Sequence, residues 1–75
     1  MNVRNDLRQV GRDVSLVRRL AGLSLHVMAA RIGCSALHLE LVEDGYKAPN
    51  EWFIRAAERE ITALAVIQEK RAQRP

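Results

Sequence analysis

Apolar positions along the chain recur mostly at spacings of three and four. Val14, Val17, Leu20 and Ala21 form one such stripe, so a first helix is expected over about 12–21. Val3, Leu7 and Val10 carry the same spacing upstream. Residues 3–10 therefore either extend this helix backwards through Gly11 or form a separate arm. Gly22 should end the helix, and Ser24 is a good cap for a second one over about 25–32. Within it Val27, Met28 and Ile32 are expected to face inward, with Ala29 at a close helix crossing. Gly33 marks a turn. Ser35 caps a third helix over about 36–43, whose Leu39 and Val42 point to the core, and Gly45 stops it. Pro49-Asn50-Glu51 then opens a fourth, with Asn50 as cap and Glu51 suited to the positive end of the helix dipole.

The fourth helix has a core stripe of Phe53, Ala56, Ala57, Ile61 and Leu64, and nothing breaks it before the basic tail EKRAQRP. Its middle, ITALAVI at 61–67, is apolar nearly all round, which implies burial on more than one side. Residues 3–10 folding over it would supply the second side. A homodimer interface through Ile61, Leu64, Ala65 and Ile67 is the simpler expectation. The result is an all-α chain with a long C-terminal helix. It divides into 1–10 as arm or extension, 11–64 as the folded domain, and 65–75 as helix end and basic tail.

Composition narrows the class. Seventy-five residues make one domain with a limited core. At 48% hydrophobic residues the chain is too apolar for a disordered tail. Its longest apolar run is Ala63 to Ile67, far short of the ~18 residues of a membrane span, and its N-terminus is polar. A soluble cytoplasmic protein is the default expectation. Net charge is +3, unevenly spread. Residues 1–33 hold six Arg and two Asp, giving +4; residues 34–51 hold Lys47 against Glu40, Glu43, Asp44 and Glu51, giving −3; residues 52–75 hold five basic and three acidic residues, giving +2.

Taken in order, GRDVSLVRRLAGLS (11–24) and SLHVMAARIGCSALHLELVEDGYKAP (24–49) resemble the lambda-repressor-like, Cro/C1-type (XRE) helix-turn-helix family. Ser24, Met28, Ala29, Arg31, Ile32, Gly33, Ser35, Leu39, Val42, Glu43, Gly45 and Pro49 carry the match, which runs over roughly 11–64. The resemblance implies a compact bundle of four to five helices. It also implies a partly buried ion pair between Arg18 and Glu43, and a third helix that enters the major groove of double-stranded DNA. The base-facing positions would be Ser35, Ala36, Leu37, His38 and Leu41, with Glu40 nearby. His26 would replace a phosphate-holding residue whose usual place is Leu25, and Arg31 and Lys47 would hold phosphates. The implied function is a small transcriptional regulator of phage or mobile-element type, acting as a dimer on half-sites one turn apart.

This reading helix departs from the pattern that direct readout favours, Arg to G and Asn or Gln to A. Only His38, Ser35 and Glu40 offer hydrogen bonds, while Leu25, Leu37 and Leu41 are expected to cluster outward. Burying three leucines is worth about 1.5–3 kcal/mol each, which a protein groove collects and a phosphate backbone does not. An alternative partner is therefore a protein, such as RNA polymerase or another regulator, docked on those leucines. No chemistry is expected. Cys34, His26 and His38 match no metal spacing, Cys34 reads as a packed thiol, and no nucleophile–base set or phosphate loop is present. No cofactor and no enzymatic activity follow from the residues.

Overall fold

The computed structural model describes residues 3–72, and the side-chain surroundings of 8–70. Four helices stand among them: α1 (Val3–Leu20), α2 (Leu25–Ile32), α3 (Ala36–Glu43) and α4 (Glu51–Ala72). The chain is all-α over this span. No single helix there is long and apolar enough to cross a membrane. The side chains of Val3, Leu7 and Arg71, and all of Arg74, lie outside the described residues.

The expected caps are in place. Ser24 Oγ accepts from the Val27 N–H at 3.1 Å, and Ser35 Oγ accepts from the His38 N–H at 3.0 Å. Asn50 Oδ1 accepts from the Phe53 N–H at 2.8 Å and starts α4. Each satisfies one amide that the first turn leaves without a helical partner. Between α2 and α3, Gly33 adopts φ 97°, a left-handed conformation that costs a residue with a Cβ. Its N–H and that of Cys34 both donate to the Ala29 carbonyl, at 2.7 and 2.9 Å, and the chain re-emerges with α3 bent 100° from α2. Asp44, the residue after α3, keeps a right-handed conformation, and Gly45, at φ 82°, stops the helix as expected, its N–H donating to the Val42 carbonyl at 3.2 Å. The N–H groups of Tyr46 and Lys47 then donate to the Leu41 carbonyl, turning the loop back beside α3.

The core joins Val14 of α1, Met28, Ala29 and Ile32 of α2, Leu39 and Val42 of α3, and Phe53, Ala56, Ala57 and Leu64 of α4. Two expected core residues face out instead: Leu20 is 68% exposed and Val27 47%. Each lies about 100° round its helix from a neighbour that packs inward, Ala21 and Met28 respectively. α1 is continuous through Gly11, which is buried where α1 crosses the end of α3.

Within ITALAVI, Leu64 is 5% exposed in the chain's own core and so is not free to form the expected dimer contact; Ile61 packs half-buried against that core, and Ala65 and Ile67 are exposed. The side chains of residues 3–7 lie outside the described residues, and Val10 packs against the core. Gln68 Nε2 donates to the Leu20 carbonyl at 3.4 Å, so it is the C-terminal end of α1 that lies beside the end of α4. Residue 10 is ten residues back from Leu20, about 15 Å along the helix.

Candidate nucleic-acid interface

Helix α3 packs on α1 and α2 with Leu39 and Val42 inward, which fixes what the rest of its surface presents. Glu40 and Ser35 are exposed, Leu37 is 64% exposed, and Ala36 and Leu41 are half-buried. Leu25 is also half-buried, against the core, and its neighbour His26 is exposed. The expected cluster of three outward leucines thus reduces to Leu37, flanked by the edge of Leu41. Asp44, one of the acidic residues of the −3 segment, is exposed at the end of the same helix.

The polar residues expected to contact DNA are largely committed within the protein. His38 is half-buried, its ring centroid 5.6 Å from that of Phe53. Lys47 Nζ lies 3.0 Å from His38 Nδ1. An ammonium can only donate, so Nδ1 accepts in this contact, and the other ring nitrogen, Nε2, faces away from it. That Nε2 is buried and has no hydrogen-bond partner. His38 is therefore an inward-facing support for the loop, not the free reader expected at this position. Arg31 Nε donates to Glu60 Oε2 at 3.0 Å, linking α2 to α4, while the side chain remains 38% exposed. Phe53 and Glu60, which pack against His38 and Arg31 respectively, both come from α4, distant in sequence.

A buried hydrogen-bonding atom left unpaired costs about 1–3 kcal/mol. Replacing His38 with leucine removes it, while Lys47 is exposed and can turn to solvent. The His38→Leu variant should be more stable than the parent by about 1 kcal/mol in urea unfolding. A drop of that size would mean that the Lys47 contact outweighs the orphaned nitrogen.

The frame behind α3 is an ion pair. Arg18 Nε and Nη2 donate to Glu43 Oε2 and Oε1 at 2.9 and 3.0 Å, and Arg18 Nη1 donates to the Leu23 carbonyl at 3.0 Å. The two side chains are only 14% and 4% exposed. The hydrogen bond to Glu43 raises the Arg18 pKa, against the opposing effect of burial, and the carboxylate's charge adds to the rise. A raised cationic pKa gives stability that is present below the unfolded arginine value and lost only as pH climbs through the folded one. The Arg18 contribution thus persists through neutral and mildly alkaline solution.

Cys34 is half-buried beside the turn. Burial pushes its thiol pKa up, partly offset by a backbone hydrogen bond with Leu39, so it stays protonated at neutral pH. No group of three or more metal-ligating side chains stands together among the described residues. Elsewhere on the surface, Trp52 lies against Gly33 and lines a shallow groove with Ile32, Ala56, Arg55 and Arg59. Comparisons with protein-family models, curated proteins and solved structures return no match.

Proposed function

We propose that the chain is a small DNA-binding regulator of the lambda-repressor-like helix-turn-helix type, acting as a dimer, with α3 as the helix that enters the major groove. The observation that carries this reading is the pair of eight-residue helices bent 100° across a left-handed Gly33, with the second helix lying on the surface. That is the arrangement in which one helix braces and the next is presented to a groove. Leu37 and Ala36 supply apolar contact to thymine methyls, and the Ser35 hydroxyl and Glu40 supply the available polar readout. Lys47 and the exposed His26 stand at the edges for phosphate contact. Sequence discrimination by such a face is weak, so binding rests mainly on backbone charge.

Fluorescence anisotropy with random duplex and with sites enriched by selection tests the reading. With two or three phosphates neutralised, log K should fall with log salt at a slope of about −2 to −3. No binding at low salt, or a slope near zero, overturns it.

A second reading has an observation of its own: Leu37 stands well exposed beside Glu40 and Asp44, both of which repel phosphate. Such an apolar–acidic face suits a protein groove with a basic rim. Leu37→Gln separates the two. A DNA binder keeps its salt-dependent affinity and shifts its base preference, whereas a protein-docking module loses its partner.

A further inference from the structure

Outside α3, the most exposed apolar side chains on α1 are Leu16 at 57% and Leu20 at 68%, one helical turn apart. They form a row on the outer surface of α1. On one side of that row lie Arg12 and Arg19, seven residues apart and both exposed. Seven residues is close to two turns, so they too form a row. Gly11 and Arg18, which touch the end of α3, show that this basic side of α1 is the α3 side. The leucine row is thus nearer α4.

The face of α4 is set in the same way. Glu60 pairs with Arg31 of α2, and Trp52 lies on Gly33, so that flank of α4 belongs to α2. The opposite flank, towards α1, carries Glu58 and Glu69, eleven residues or about three turns apart and both exposed, with Thr62 and Ala65 exposed between them. The bond from Gln68 to the Leu20 carbonyl places the last turn of α1 beside the later turns of α4, and Arg19 and Glu69 are each one residue from that contact on their own helices. Across this one surface run a basic row, an apolar row and an acidic row.

We propose that this face binds a second copy of the chain. A two-fold axis lying in the contact plane along the leucine row turns the second copy over. Leucines then meet leucines, and the arginine row of each copy meets the glutamate row of the other. An isologous contact must be self-complementary, and this order of rows satisfies that requirement twice by symmetry. The contact replaces the expected one through Ile61 and Leu64. It gives the dimer of the proposed function a specific geometry, yet it does not depend on DNA.

The test is a charge exchange measured by sedimentation equilibrium without DNA. The parent should reach twice the 8.5 kDa mass of one chain. Arg19→Glu and Glu69→Lys should each weaken self-association by roughly tenfold or more, since like charges then face each other twice. Mixing the two variants should restore a heterodimer, because Glu at 19 meets Lys at 69 and the native Arg19 meets the native Glu69. Leu20→Asp should give a monomer with unchanged helix content by circular dichroism. A parent that stays monomeric, single variants that associate like the parent, or a mixture that fails to associate each overturns the proposal. Loss of DNA binding by a variant that still dimerises would count against the DNA reading alone.

Discussion

Gly11→Ala should destabilise the protein by about 2 kcal/mol, although alanine is the better helix former. In an exposed helix interior the exchange would gain about 1 kcal/mol. Here the added Cβ points into the Val42 carbonyl oxygen and lies 3.2 Å from its carbonyl carbon. The obstacle is backbone rather than a side chain that can swing aside, so α1 and α3 must separate. Overpacking of this kind costs about 1–3 kcal/mol, and a contact with fixed backbone falls at the upper end. Gly11→Val, with a larger and stiffer side chain, should cost more still. Thermal unfolding reads the result directly: for a domain of this size, 2 kcal/mol lowers Tm by about 10 °C. An unchanged or raised Tm for Gly11→Ala would mean that the crossing of α1 over α3 is not this close.

The second large effect is expected at Glu43. Its carboxylate is almost wholly buried and accepts both donors of the Arg18 fork. Glu43→Ala leaves a largely buried guanidinium with only the Leu23 carbonyl as partner. Stranding one member of a buried pair costs about 3–5 kcal/mol. For a small domain with a total stability of about 5–15 kcal/mol, that is a large share. Removing both charges is milder, because a pair replaced by apolar groups of similar volume is often neutral. The double variant Arg18→Met, Glu43→Leu should therefore recover most of the loss. Urea unfolding of the two single variants and the double variant measures this coupling. Additive losses would show that the two groups act independently.

The boundaries of α2 and α3 could be read from the chain because their determinants are local. Ser24 and Ser35 cap amides three residues ahead, and Gly33 provides the left-handed turn between them. Asn50 opens α4 for the same reason. Gly11 was ambiguous because a glycine in a helical pattern can be a break or a close approach. Only the position of Val42, thirty-one residues later, decides between them. Leu20 and Val27 misled because adjacent stripes on a short helix differ by one residue, and packing of the whole bundle chooses between them. The site was harder. His38 and Arg31 have the residue types of a DNA contact, but Lys47, Phe53 and Glu60 determine where their polar atoms point. The basic, apolar and acidic rows of α1 and α4 were present in the sequence. They gain meaning only when the last turn of α1 is known to lie beside the later turns of α4.

The contact between Gly11 and the Val42 carbonyl bears on how this protein can change. It locates α3 by main chain against main chain, and the Arg18–Glu43 fork holds the same end of the helix. Neither uses Leu37, Glu40 or the Ser35 hydroxyl's free lone pair. The outward positions of α3 can therefore be rewritten with little effect on the helix's placement. The module is a mount whose working surface can diverge, or be redesigned, faster than the frame that carries it.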